Sequence, residues 1–71
     1  RYLTAFALFH DPGRRELSYV CAGHPPALLR RGEQVLILGE GGDIPLGVLR
    51  DHVYSQHTLA TEPGDTLVLY T

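Results

Sequence analysis

The sequence contains no methionine, tryptophan or lysine, and it contains a single cysteine. With only one thiol, Cys21, no internal disulfide can form. Cys21 and the four histidines (His10, His24, His52 and His57) lack the paired short spacings that structural zinc sites use. A domain of this size buries only about 60% of its unfolded surface. Because the chain has neither a disulfide nor a structural zinc site, we expect its folded state to be only marginally stable.

The missing methionine also predicts that the natural start codon lies outside this sequence. Both ends enter apolar segments directly, at 1–9 and 66–71, whereas natural termini are usually frayed and polar. We therefore expect residues 1–71 to be a partial domain that is truncated at both ends.

The charge pattern argues against two classes of partner. The net charge is −2, and the arginine pairs Arg14-Arg15 and Arg30-Arg31 flank turn glycines. We predict that these arginines are solvated turn residues, because a nucleic-acid-binding domain is usually basic. No apolar run approaches the roughly 20 residues of a membrane span, and no signal-peptide pattern appears in these 71 residues. An unpaired thiol without a secretion signal predicts a cytoplasmic protein.

Apolar and polar residues alternate with a period of two along most of the chain, interrupted by turn residues. The first apolar segment is hydrophobic on both faces, which predicts a central strand covered on each side. In the second segment Leu17, Tyr19 and Cys21 share one face, which predicts the inward side of a hairpin arm. The pattern predicts a mainly β fold, a sandwich or barrel of about six antiparallel strands, at 2–9, 16–21, 27–30, 34–38, 54–59 and 66–70.

Glycine and proline mark the turns. Asp11-Pro12-Gly13 predicts a corner in which proline presets φ and Gly13 takes a positive φ. Residues 31–33 and 62–65 predict two more turns. The glycine-rich segment 39–47 predicts an irregular loop and not a phosphate-binding P-loop, because no Gly-Lys-Ser/Thr follows it. The carboxylates lie mostly beside turns, with Asp11 and Asp65 the best placed to form them, and none makes an acid/base pair.

Two residues near the end of the second strand could carry chemistry. His24 follows a glycine and precedes two prolines, which would fix the direction of its imidazole ring. It is either a ligand or hydrogen-bonding group at a loop site, or a histidine that bonds the backbone to hold the turn. Cys21 is predicted to be a buried structural thiol, because a nucleophilic cysteine needs an adjacent base and an electropositive setting.

Five short motifs follow one another along the chain: Tyr2-Leu3-Thr4-Ala5-Phe6; Asp11-Pro12 with Glu16-Leu17-Ser18-Tyr19-Val20; Ala22-Gly23-His24-Pro25-Pro26; Ile44-Pro45-Leu46-Gly47; and Glu62-Pro63-Gly64-Asp65-Thr66-Leu67-Val68-Leu69-Tyr70-Thr71. In this order they resemble the SpoIIE-like (RsbU-like) phosphatases, a bacterial branch of the metal-dependent PPM serine/threonine phosphatase superfamily. The likeness covers essentially the whole chain. It departs from the family at Arg14-Arg15, where a glycine is usual and the turn geometry can differ, and at Cys21, where asparagine is common.

The resemblance implies a fold and an activity. The fold would be an α+β, PPM-type β-sandwich flanked by helices, of which this chain is the β-rich middle. The activity would be Mn²⁺- or Mg²⁺-dependent hydrolysis of phosphoserine or phosphothreonine on an anti-anti-sigma-type regulatory protein. We expect no contact of this segment with nucleic acid or membrane, and some tendency to self-associate through uncovered apolar faces.

The resemblance also implies where the catalytic groups lie. In the family an Asp-Gly pair follows the position of Thr71, and that aspartate is a metal ligand; further ligand aspartates precede the position of Arg1. We therefore expect no catalytic residue and no metal ligand within this chain, no metal bound by it alone, and no turnover. Gly23, His24 and Thr71 are predicted to lie next to the active site.

Two other interpretations stay open. The chain could belong to a degenerate phosphatase domain that only binds a partner protein, which the residues after Thr71 in the natural gene would decide. It could also be a cupin-like β-barrel binding domain, since a Pro-Gly-Asp turn before an aliphatic strand occurs there too. Metal-binding cupins cluster their histidines, whereas those of this chain are scattered.

Overall fold

The computed structural model describes residues 3–71, which form six β-strands in two three-stranded sheets. All named strand pairs are antiparallel, and the described residues contain no helix, so the predicted mainly β fold is confirmed. The strands are β1 Ala5–Asp11, β2 Glu16–Ala22, β3 Ala27–Arg31, β4 Gln34–Leu38, β5 His57–Ala60 and β6 Thr66–Val68.

Each sheet is built on one hairpin. The first sheet has the order β1-β2-β5 and the second has the order β4-β3-β6. In the second hairpin Arg31 pairs with Gln34, which leaves a two-residue turn whose Gly32 has a φ of 61°. Short loops of this kind favour residues that accept a positive φ. The predicted hairpin at 31–33 is therefore confirmed.

The core lies between the two sheets. Leu17 of the first sheet packs with Ala27, Leu29 and Leu38 of the second, and all four are buried. Apolar residues of the other strands complete this cluster from its edges: Phe6, Leu8, Tyr19, Leu36, Leu59 and Leu67. The predicted inward face of β2 is confirmed, since Leu17 and Cys21 are buried and Tyr19 packs on the core.

The turn between β1 and β2 differs from the prediction. The residue with a positive φ is Arg15, at 53°, and not Gly13. The backbone N–H of Arg15 donates to the carbonyl of Pro12, and the N–H of Arg14 donates to Oδ1 of Asp11. Arg15 thus adopts, at a steric cost, the left-handed conformation that glycine takes freely.

Five of the six predicted strands have different limits, β2 and β3 by one residue each and β1, β5 and β6 by more. β1 was predicted as a central strand over 2–9, but within the described chain it pairs only with β2 and is an edge strand. Its outward face carries Phe9, which is 67% exposed, because no described layer covers it. The N-terminal Tyr2 lies outside the described residues. The last two strands are shorter than the predicted 54–59 and 66–70, since β5 begins at His57 and β6 ends at Val68.

Candidate functional site

Three of the five sequence motifs meet at one end of the molecule, although they lie up to 43 positions apart in sequence. Leu3 forms an antiparallel bridge with Leu46, and Ala5 forms a parallel bridge with Gly23. A further parallel bridge joins Ala22 to Asp43. Backbone hydrogen bonds between the motifs therefore assemble this end, which we call the motif end.

Gly23 is required at the motif end for two reasons. Its φ is 69°, a conformation that side chains rarely adopt. A Cβ added to Gly23 would lie 2.5 Å from Cγ of Pro45 and 3.0 Å from its Cα. The close approach lets the backbone N–H of Gly23 donate to the carbonyl of Asp43 over 2.7 Å. Glycine at this position thus allows two motif loops to pack backbone against side chain.

His24 is half-buried at the same place. Its Nδ1 lies 2.9 Å from the carbonyl oxygen of Pro25, which can only accept, so Nδ1 donates. The ring also meets Phe6 edge to face, with centroids 6.1 Å apart. This contact with the backbone is of the kind that the structural interpretation of His24 predicts. In the neutral ring it leaves Nε2 as the acceptor nitrogen, so the contact is also compatible with a role in hydrogen bonding at a site.

Cys21 is a buried part of the frame. Its side chain is only 5% exposed, and its Sγ donates to the carbonyl of His24 over 3.1 Å. A Cβ added to Gly42 would lie 2.8 Å from that sulfur, so the glycine-rich loop passes directly against the thiol. Packing of this kind fits the predicted structural thiol.

Asp43 is a residue that the sequence analysis missed. Its Oδ1 accepts the backbone N–H of Ile44 over 2.9 Å and Nε2 of His52 over 2.7 Å. The Ile44 hydrogen bond, with the hydrogen bond and charge of His52, holds the pKa of Asp43 below its ordinary value, against the opposing effect of desolvation. The residues are nine positions apart in an irregular loop, and no sequence period indicates that they meet.

Thr71 lies in the direction of the motif end. β6 runs antiparallel to β3, with Arg30 opposite Thr66 and Leu28 opposite Val68. The chain after Val68 therefore runs toward the start of β3, where Pro25 and His24 lie. Thr71 is exposed, and it makes no strand pair in the structure.

The opposite end of the molecule holds a second polar cluster. Arg31 donates two hydrogen bonds to Asp65, from Nε to Oδ1 at 2.9 Å and from Nη2 to Oδ2 at 2.8 Å. Its Nη1 also lies 3.1 Å from Oε2 of Glu62. The Arg31 bonds, with the backbone N–H of Glu62, lower the pKa of Asp65 to about 2. Arg31 was predicted to be a solvated turn residue. That prediction is wrong, because the Arg31 side chain is only 25% exposed and its Nη2 also donates to the carbonyl of Ala60, which lies on β5 of the other sheet.

A cavity of about 420 Å³ lies beside this cluster. Its lining is mostly apolar, with Leu8, Leu17, Leu29 and Leu67 among its residues. The carboxylates at its edge, Glu62 and Asp65, already pair with Arg31. Both negative charges are therefore already paired with Arg31. For this reason the cavity is a weaker candidate for phosphate chemistry than the motif end.

The residues do not fit a metal site by themselves. Across 3–71, no three histidine, cysteine, aspartate or glutamate side chains converge in a way that could hold an ion. At the motif end the Oδ1 atom of Asp43 already accepts hydrogen bonds from Ile44 and His52. A divalent cation needs several oxygen ligands, so one carboxylate that already accepts two hydrogen bonds is not enough.

Within residues 3–71, no helix is long and apolar enough to cross a membrane.

Comparison with known proteins identifies the family of the chain. The family model described as "Stage II sporulation protein E (SpoIIE)" matches residues 1–71. The chain is 34% identical over 70 residues to "Phosphoserine phosphatase RsbP" of Bacillus subtilis (strain 168). That match covers 99% of this chain but only 17% of the length of the relative. No solved structure matches the chain. With the family model matched along its full length, the chain belongs to the SpoIIE family.

Proposed function

We propose that this chain forms the frame behind the catalytic face of a metal-dependent protein serine/threonine phosphatase. The observation that carries the proposal is the convergence of three family motifs at the motif end, where Leu3 bridges Leu46 and Gly23 bridges Ala5. Motifs that are distant in sequence but adjacent on loops at one end of a scaffold can contribute residues to a single site.

The proposal assigns the metal ligands to residues outside this chain. The described residues hold no set of carboxylates that suits Mn²⁺ or Mg²⁺. The matched relative is about six times as long as this chain, since the match covers 17% of it. In a longer protein, carboxylates from other segments would complete the site next to Gly23, His24 and Thr71.

The chain's own residues would then act by positioning. Gly23 lets the backbone turn sharply against Pro45, and the bond from His24 to the Pro25 carbonyl sets the ring's direction. A rigid support of this kind matters because small displacements of catalytic groups lower rates steeply. We expect His24→Ala in the natural full-length protein to lower activity without abolishing metal binding. Loss of one full equivalent of bound Mn²⁺ in that variant would contradict this role.

The proposed substrate is phosphoserine or phosphothreonine on a regulatory protein of the anti-anti-sigma type. The printed name of the relative from Bacillus subtilis, a phosphoserine phosphatase, supports the phosphoserine part. The net charge of −2 argues against nucleic acid as the partner. A cytoplasmic location would fit the buried free thiol of Cys21.

The test is release of phosphate from a phosphoserine-containing protein by the natural full-length protein, with Mn²⁺ and separately with Mg²⁺. We expect turnover that a chelator abolishes and that added metal restores. The 71-residue chain alone serves as a control and should be inactive. A folded full-length protein that is silent with both metals and several substrates would contradict the proposal and favour a protein-binding module of the same family.

A further inference from the structure

Asp43 occupies a position that joins two loops of the motif end. Its backbone N–H donates to the carbonyl of Cys21 over 3.0 Å, and its own carbonyl accepts the N–H of Gly23 over 2.7 Å. These two bonds flank Ala22 and lead directly into the His24 loop. The position of the Asp43 backbone therefore sets the position of the strand end that carries His24.

The Asp43 side chain is itself held by His52. The two are joined over 2.7 Å, from Nε2 of His52 to Oδ1 of Asp43, and both side chains are about three-quarters buried (26% and 24% exposed). An ionised carboxylate only accepts, so Nε2 of His52 carries the hydrogen. Tyr54 packs edge-on against the His52 ring, with centroids 4.6 Å apart, and its hydroxyl donates to the carbonyl of Pro45 over 2.9 Å.

Apolar packing contributes little to the position of the loop at 46–53, which these contacts close. Residues 46–51 are all exposed, with Val48 at 51% and Leu49 at 60%, and Val53 is 85% exposed. Little apolar surface is therefore buried by the loop itself. Its position depends on polar contacts, of which the short, charge-assisted bond between His52 and Asp43 belongs to the stronger class.

We propose that Asp43 and His52 form a positioning clamp for the His24 loop of the phosphatase. The clamp consists of the His52–Asp43 side-chain bond and of the two Asp43 backbone bonds to Cys21 and Gly23. The pair acts through the loop and touches no substrate. This inference rests on the proposed function and deepens it, because it names two residues that set the geometry of the motif end.

The loop contact is tight enough to transmit a displacement. Pro45 lies two residues after Asp43 and fills the space where a Gly23 side chain would be. A shift of Asp43 therefore moves Pro45 against the Gly23 backbone or opens the bond between Gly23 and Asp43. A bond that only closed a distant loop would have no such effect on residues 21–24.

The first experiment measures the clamp without using activity. Hydrogen exchange is followed by mass spectrometry, with electron-transfer fragmentation to resolve single amides, in the natural full-length protein. We expect the amides of Gly23 and Asp43 to exchange roughly tenfold faster in His52→Ala, because their bonds open more often. His52→Gln keeps a donor at the position of Nε2 and should restore much of the protection. His10→Ala, at an exposed histidine of β1, is the matched control and should leave both amides unchanged.

The second experiment measures the consequence for the reaction. With a phosphoserine protein as substrate, His52→Ala should lower kcat by about tenfold to 100-fold with a smaller change in KM, since misplaced support groups affect the chemical step. His52→Gln should recover most of kcat. If His52→Ala does not fold, Asp43→Asn carries both measurements: it keeps the side-chain shape but loses the charge, and about a threefold effect is expected.

The outcomes separate the clamp from the proposed function. Unchanged exchange at Gly23 and Asp43 in a folded His52→Ala or Asp43→Asn protein overturns the clamp. Faster exchange with unchanged kcat overturns its role in positioning. An inactive wild-type protein whose Gly23 and Asp43 amides respond as expected supports the clamp as a structural device and overturns the phosphatase proposal.

Discussion

Replacing Gly23 by alanine should loosen the motif end. The residue has a φ of 69°, and the new Cβ would lie 2.5 Å from Cγ, 2.9 Å from Cδ and 3.0 Å from Cα of Pro45. The first two atoms belong to a stiff ring and the third to the backbone, so the clash cannot be relieved by a simple rotamer change.

The cost has two parts. Holding alanine in the left-handed conformation costs about 1–2 kcal/mol. Overpacking against a rigid neighbour adds about 1–3 kcal/mol. Gly32→Ala separates the parts, because Gly32 has a φ of 61° and nothing within 4 Å of an added Cβ. We expect Gly23→Ala to lower the free energy of unfolding by about 2–5 kcal/mol and Gly32→Ala by about 1–2 kcal/mol.

The assay is urea-dependent hydrogen exchange of the natural full-length protein, read on peptides from 16–38 so that other segments do not contribute. The midpoint of each variant is compared with that of the wild-type protein. A midpoint for Gly23→Ala equal to or above that of Gly32→Ala would refute the contact with Pro45. A second comparison measures phosphate release by the two variants. Only Gly23→Ala is expected to lose more activity than its smaller fraction of folded protein explains.

Three further predictions concern residues away from the motif end. Arg15→Gly should raise the free energy of unfolding by about 0.5–1 kcal/mol, measured by the same exchange assay, because glycine accepts the φ of 53° without steric cost; a lower stability would contradict this. Leu29→Ala should lower it by about 2–5 kcal/mol, since Leu29 is 2% exposed in the core; a change below about 1 kcal/mol would show that the core is loosely packed. The pKa of Asp65 falls from 3.8 to about 2 on folding, so Asp65 stabilises the fold above pH 3.8 and this contribution is lost as the pH falls toward 2. Stability followed by exchange-detected unfolding should therefore fall with acid less steeply in Asp65→Asn than in the wild-type protein, and equal slopes would count against the Arg31 pair.

The strands and hairpins could be predicted from sequence because their signals are local. The alternation of Leu17, Tyr19 and Cys21 indicated the inward face of β2, and Gly32 indicated the turn at 31–33, which the structure narrows to two residues because Arg31 pairs with Gln34. Strand limits were less accurate where pairing decides them. The segment 54–59 alternates throughout, yet only His57–Ala60 finds partners on β2.

The contacts that fix the two ends of the molecule could not be predicted in the same way. Arg31 and Asp65 are 34 positions apart in sequence, and each lies beside a predicted turn. Only the pairing of β3 with β6 brings their side chains together. Asp43 and His52 lie in a loop with no periodic pattern. Their meeting depends on the bridges that Asp43 makes to β2, which are backbone contacts that side-chain identity does not reveal.

The location of bound metal tests the central claim most directly. Crystals of the natural full-length protein with Mn²⁺, measured at the manganese absorption edge, would show the ion by its anomalous signal. We predict Mn²⁺ beside Gly23, His24 and Thr71, with its carboxylate ligands contributed from outside residues 1–71. Mn²⁺ bound at Glu62 and Asp65 beside the apolar cavity, with the motif end free of metal, would contradict the assignment of the motif end as the catalytic face.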